Sequence, residues 1–321
     1  MCGREGEGGS PTTAKRFSLL MLPIVTISGP ACPQFSAALL SFLDENGVWI
    51  AYPSTMTEPK GQMQEEALKS SRTILDEEIQ EAEMELERPA PCLFVAGLMG
   101  GLGIGVSLFL IGVVLALVER PLQDPMMAFL VANAHTVGFI LVIMGRTDLF
   151  TEYTTLAVLP VLEGRASVAN LSRFWGLIYG ANLLGVALFA LITLALGPSL
   201  HVVDTPRLAE AARVLLGHAW WAVLLSAAVA GWLMGMLAWL VTSARDTISQ
   251  VFFIWLITLV IALGHLHHSV SGFALVIFAW LEGAVAGAAL GHFVLWATIG
   301  NAVGGVVFAV LTRYRTSMRS M

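Results

Sequence analysis

Charge is what this chain has least of. Lys, Arg, Asp and Glu make up 12% of its 321 residues, against the ~25% that a soluble domain carries, and 56% of the residues are hydrophobic. That balance excludes a water-soluble globular domain and implies an integral membrane protein. The acidic residues crowd into the first 90 positions, so the net charge of -6 describes a solvated tail. Nothing basic enough to hold nucleic acid is left. Cysteine is scarce too: Cys2, Cys32 and Cys92 form no CxxC pair, so their spacing announces neither a disulfide frame nor a zinc site. No Ser/His/Asp grouping, phosphate loop or metal-ligand set appears. An enzyme is therefore not expected, nor a cofactor or a metal ion.

What the chain has in quantity is apolar runs. Residues 1–55 are low-complexity and hold only SLLMLPIVTISGPAC, too short and too proline-broken to span a bilayer. They are expected to be disordered or to lie upstream of a true start near Met56. Within 56–90 the segment DEEIQEAEMELE predicts a solvated, acidic cytoplasmic helix over 62–87, stopped by Arg88-Pro89. A membrane domain is expected over 91–314 and a cytoplasmic tail over 315–321. Six crossings are read at 92–118, 125–144, 174–196, 219–241, 250–280 and 283–311, the second and fifth interrupted. Basic residues collect on one side: Lys60, Lys69, Arg72, Arg88, Arg165, Arg173, Arg245, Arg313, Arg315 and Arg319 against Arg120, Arg207 and Arg213. Positive residues favour the cytoplasmic face, which puts both termini inside.

The two interruptions are polar. MGRTDLFTEYT (144–154) breaks the second segment and LGHLHHSVSG (263–272) the fifth. Each is followed by an Asn-bearing helix, YGANLLG or IGNAVGG, and Gly145 to Asn182 spans 37 residues, as does Gly264 to Asn301. Three crossings repeated once must be inverted in the membrane, and broken helices meeting at the midplane mark transporters and channels. Irregular backbone at that depth survives only inside protein or along a cavity.

GRTDLFT, HHSVSG, FWGLIYGANLLG, WLMGMLAWLVTSARD and TIGNAVGG, in this order between Ala96 and Tyr314, resemble the formate/nitrite transporter family. The resemblance implies an all-α, aquaporin-like fold of six helices in an inverted 3+3 repeat, two of them broken. It further implies a homopentamer with one pore per subunit, in a bacterial inner membrane, passing small monovalent anions or their conjugate acids. By the same resemblance His268 is the central pore histidine with Ser269 beside it, and Leu149, Phe150 and Thr151 form the first loop, the threonine facing the histidine. The apolar slits fall on His135, with Phe139 one turn on, and Ile261. Several positions depart from the family: His135 stands where a Phe is usual, Gly231 replaces a pore asparagine, Leu215 replaces a vestibule lysine, and Thr151-Glu152-Tyr153-Thr154 replaces Thr-Gly-Asn-Thr.

The chemistry asked of such a pore is specific. A bare carboxylate is very costly to bury, whereas neutralising an acid of pKa ~4 at pH 7 costs only ~4 kcal/mol. Histidine can move that proton near neutral pH, and Thr and Ser hydroxyls supply rotating donors. Around this centre, Arg146 and Asp148 are functional candidates as ionisable residues at membrane depth, and their plainer reading is that they pair or cap broken backbone within the first loop. His265 and His268, three apart, would share a face if that turn is helical, and His267 reads either as packed beside the pore or as a partner for a free loop carbonyl. Two other functions stay open: a pore for small neutral solutes, against which the absence of Asn-Pro-Ala repeats counts, and a non-transporting membrane assembly or sensing subunit.

Overall fold

The computed structural model describes residues 69–318, which are all-helical apart from short connections; the expectations for residues 1–55 lie outside that range. The helices are α1 (Ser71–Glu87), α2 (Ala90–Leu117), α3 (Pro125–Met144), α4 (Phe150–Leu156), α5 (Val158–Leu162), α6 (Val168–Leu200), α7 (Thr205–Leu216), α8 (Trp220–Ser243), α9 (Thr247–Leu263), α10 (Ser269–Leu281) and α11 (Gly287–Met318). Among the described residues five helices, α2, α3, α6, α8 and α11, are long and apolar enough to cross a membrane. Two shorter apolar helices, α9 and α10, share the region read as the fifth crossing. The starts follow local chemistry. Asp124, Ser167, Asp204 and Asp246 each cap a helix through the side chain, and Pro125 and Pro206 occupy first-turn positions, where the missing N–H costs nothing.

The helices depart from expectation most of all in three places. Ser70 caps α1, so that helix starts at Ser71. At the other end α11 runs on through Met318, past the expected tail boundary. The third is α7, which no apolar run signals because it is a short amphipathic helix with only Leu208, Ala209 and Ala212 buried. Its Arg207 guanidinium donates to the carbonyls of Leu115, Val118 and Arg120, closing the end of α2.

α1 is not simply solvated. Ile74, Leu75, Ile79, Ala82 and Leu86 are buried, because they fall on one helical stripe that packs onto the rest of the molecule. Glu78 lies on that stripe, 1% exposed, with Oε1 unpaired. Burial, then the Glu81 and Glu152 carboxylates, push its carboxyl up to about 8. A raised carboxyl favours the folded state at low pH, and that advantage drains away as pH climbs from the unfolded value of 4.5 to about 8. Glu78→Gln should therefore melt with the wild type at pH 4.5 and at higher temperature than the wild type above pH 8. An equal gap at both pH values would remove Glu78 as the cause.

The core is built on two helix pairs, α2 with α6 and α8 with α11, brought to backbone contact by glycine. A Cβ on Gly101 would lie 2.2 Å from the Asn182 carbonyl oxygen, and one on Gly231 would lie 2.1 Å from that of Asn301. Gly231 is thus a close-approach residue of α8 against α11, which explains why no larger side chain stands there.

Candidate functional site

The two breaks are built alike. α3 ends with Arg146 N–H donating to Ile143 and Thr147 N–H to Val142; α9 ends with His265 N–H donating to Ala262 and Leu266 N–H to Ile261. Both are Schellman closures, and both put a non-glycine residue in the left-handed region, Arg146 at φ 53 and His265 at φ 49. The chain then turns extended and is held by one asparagine. Asn182 accepts from Phe150 N–H at 2.9 Å and donates to the carbonyls of Asp148 at 2.8 Å and Gly97 at 2.7 Å. Asn301 accepts from Ser269 N–H at 2.7 Å and donates to the carbonyls of His267 at 3.0 Å and Ala227 at 2.7 Å. Each amide thereby satisfies three backbone groups that a broken helix would leave bare in a water-poor interior.

Where the breaks meet, Thr151 Oγ1 lies 2.8 Å from His268 Nε2, both residues buried. His268 is also the N-cap of α10, its Nδ1 accepting from Ser271 N–H at 3.2 Å. An imidazole nitrogen that accepts carries no proton, so the other, Nε2, is the N–H and donates to Thr151. His268 therefore rests neutral, and Thr151 keeps its own hydroxyl proton to donate elsewhere. The Phe139 ring stands edge-on to His268, with centroids 5.1 Å apart, and His135 tilts against Phe139 at 5.1 Å. A cavity of about 240 Å³ opens beside them, bounded among others by His135, His218, Ile261, His265, His268 and Ser271.

The remaining candidates fall elsewhere. Leu149 is fully buried, and Phe150 turns its ring toward Tyr179 at 4.6 Å and Trp175 at 6.0 Å. Ser269 is buried, its N–H used by Asn301. Arg146 does not pair with Asp148, because the left-handed turn carries it to an exposed position. Asp148 pairs instead with Arg88, 3.1 Å away, which also bonds Glu85. His265 and His268 do not share a helical face, since the turn between them is non-helical: one is left-handed and exposed, the other extended and buried. His267 meets a helix carbonyl instead of a loop one, its Nε2 lying 3.1 Å from Leu215 O in the last turn of α7, and the Ser226 hydroxyl is 2.5 Å from Nδ1.

Sequence reasoning passed over Arg88, Ser226 and Ser271, and saw Asn182 and Asn301 only as a pattern. Their equal spacing from the breaks was the one signal of their task. Arg88 is the most consequential omission, since removing it strands the Asp148 carboxylate, 2% exposed. Breaking one side of a buried pair costs about 3–5 kcal/mol, so Arg88→Ala should lower the melting temperature sharply, with Arg88→Lys between the two. A melt unchanged by Arg88→Ala would show that Asp148 is stabilised by other groups.

A family model described as formate/nitrite transporter matches residues 72–315. The chain belongs to the formate/nitrite transporter family. That is a family of transporters and channels, not of enzymes. Within it, the chain is 30% identical over 259 residues to the inner membrane protein YfdC of Escherichia coli, covering 79% of this chain and 81% of that one. It is 28% identical over 231 residues to the nitrite transporter NirC of Salmonella typhimurium, covering 71% and 84%. Among solved structures, an FNT family ion channel superposes with a TM-score of 0.65 at 26% identity, over 77% of this chain and 98% of that chain. A pentameric formate channel with formate bound shares the fold, with a TM-score of 0.58 at 19% identity over 71% and 98%.

Proposed function

We propose that this formate/nitrite transporter is a channel-like permease for small monovalent weak acids, and that His268 passes the permeating anion its proton. The observation that carries the reading is the buried Thr151–His268 bond joining the two broken helices. Water on the cavity side protonates Nδ1, and the imidazolium passes its Nε2 proton to Thr151 as Thr151 gives its hydroxyl proton to the arriving anion. His268 is left neutral with the proton on Nδ1, and water-mediated tautomer exchange returns it to Nε2, so that Nδ1 again accepts from Ser271 N–H. The sum is one proton plus one anion giving one neutral acid, which crosses the apolar slit at far lower cost than the anion. Protonating Nδ1 displaces the Ser271 N–H, so the charged imidazole is short-lived and the resting pore stays neutral.

The architecture that goes with this reading is six crossings, α9 and α10 together making the fifth, in two inverted halves. Residues equivalent in the two breaks are 119 apart, as in Gly145 with Gly264, Arg146 with His265 and Asn182 with Asn301. The matched hydrogen bonds of the two asparagines support the duplication. The assembly is a homopentamer in a bacterial inner membrane with both termini cytoplasmic. A proteoliposome flux assay with formate, nitrite, lactate and glycerol at two pH values tests the function. Formate or nitrite flux is expected; glycerol alone would indicate a neutral-solute pore, and no flux of any solute would point to an assembly subunit.

A further inference from the structure

At the end of the bundle that gathers most of its arginines, three elements distant in sequence surround a second cavity, of about 280 Å³. α1 contributes Arg72 and Asp76, the loop after α5 contributes Glu163 and Arg165, and α11 contributes Arg313. A preference of basic residues for the cytoplasmic face explains which end they occupy. It does not explain why positions 72, 165 and 313 converge on one space, where three like charges repel one another. Their bonds to other described residues use few of their donors. Arg313 gives its Nε to Glu163 at 2.6 Å, and Arg165 gives one Nη to Glu83 at 3.3 Å. Arg72 Nε stands 4.0 Å from Asp76, too far for a hydrogen bond. A guanidinium carries five N–H donors in a rigid fork that matches phosphate.

Two observations narrow the occupant. The cavity also holds the Asp76 and Glu163 carboxylates, so a bare anion meets repulsion there and so does a bare cation. A ligand that carries a phosphate and an ammonium meets a partner for each. The second observation is depth. Val310 and Leu311, just before Arg313, are exposed apolar residues, and so is Val168, three residues after Arg165. Tyr314 is exposed beside them, and tyrosines of this kind sit at headgroup level. The cavity thus lies where the apolar spans end, a place where basic pockets between helices hold lipid headgroups. Its volume, close to the ~300 Å³ lower bound of ligand pockets, suits a headgroup.

We infer that this cavity binds the headgroup of an aminophospholipid, its phosphodiester on the guanidiniums of Arg72 and Arg165 and its ammonium on Asp76 and Glu163. The lining residues come from α1, α11 and the loop after α5, so a bound lipid fastens α1 to the helices that cross the membrane. The site owes nothing to the solute that the pore carries.

The test is lipid binding read by native mass spectrometry. Full-length protein in mild detergent, stripped of co-purified lipid, is titrated with phosphatidylethanolamine, phosphatidylglycerol or phosphatidylcholine of equal chain length. Wild type, Arg72→Gln, Arg165→Gln, Asp76→Asn and Arg315→Gln are compared after each is shown to elute and melt normally. Arg72 and Asp76 are exposed and share no hydrogen bond, so replacing either leaves the fold intact. Wild type should hold phosphatidylethanolamine most tightly, since the quaternary ammonium of phosphatidylcholine has no N–H to give. Arg72→Gln and Arg165→Gln should each weaken that binding about fivefold, the size of one exposed charge pair. Arg315→Gln, outside the cavity, should leave it unchanged. Asp76→Asn should narrow the preference for phosphatidylethanolamine over phosphatidylglycerol. Equal affinity in wild type, Arg72→Gln and Arg165→Gln would mean annular lipid only and would overturn the site. A wild-type preference for phosphatidylglycerol would overturn the assignment to an aminophospholipid. Displacement of the lipid by equal concentrations of inorganic phosphate or glycerophosphoethanolamine would give the cavity to a soluble phosphate, and would overturn it as well.

Discussion

His268→Asn should assemble as the wild type does and lose most of its formate flux at neutral pH. Asparagine is among the best N-cap residues, so its side-chain oxygen can take the Ser271 N–H that Nδ1 accepts now. Its amide nitrogen takes the place of the ring Cδ2 and falls short of Thr151, so the bond to Thr151 is lost. What it cannot do is take a proton on one side and release one on the other. The anion must then enter already neutralised, and for an acid of pKa ~4 only about one molecule in a thousand is neutral at pH 7. Flux through the variant is thus expected to fall about tenfold for each unit of rising pH, while the wild type stays much flatter. Stopped-flow uptake of formate into proteoliposomes between pH 5 and 8 makes the comparison. A wild-type pH profile in His268→Asn would reject the relay, whatever the solute.

The largest structural effect is expected at the two asparagines. Asn182→Leu or Asn301→Leu leaves one N–H and two carbonyls unsatisfied at fully buried positions. Each orphaned group costs roughly 1–3 kcal/mol, so one substitution removes a large part of the ~5–15 kcal/mol that holds a typical protein folded. Neither variant should yield an intact oligomer from the membrane fraction. Asn→Asp at either position keeps the acceptor but loses both donors, and should fail nearly as badly. A normal size-exclusion profile for Asn182→Leu would mean that the breaks find other partners, and would undo the clamp described here.

Much of this molecule is legible in its residues. The scarcity of charge places it in a membrane, and the apolar runs locate the five long helices, with ends shifted by up to seven residues (311 expected, Met318 observed). The equal Gly-to-Asn spacings reveal that the two breaks are related. Helix capping is equally local: Asp124, Ser167, Asp204 and Asp246 act within one turn of themselves. α7 stayed hidden because an amphipathic helix of twelve residues leaves no apolar run. The burial of α1 stayed hidden because its charged face dominates its composition, although its apolar stripe is regular.

Partnership could not be read along the chain. Asp148 lies two residues from Arg146 yet pairs with Arg88, sixty positions away, because a left-handed turn points the nearer guanidinium outward. His268 is obvious as a histidine, but its tautomer follows from two bonds, one to the third residue along and one to Thr151, 117 positions distant. Hydropathy, capping and spacing are properties of neighbouring residues, so the sequence by itself determined the class, the helices and the places where they break. Which buried polar group meets which is set by the few arrangements in which every backbone N–H and carbonyl of a broken helix finds a partner away from water, and only the tertiary structure decided that.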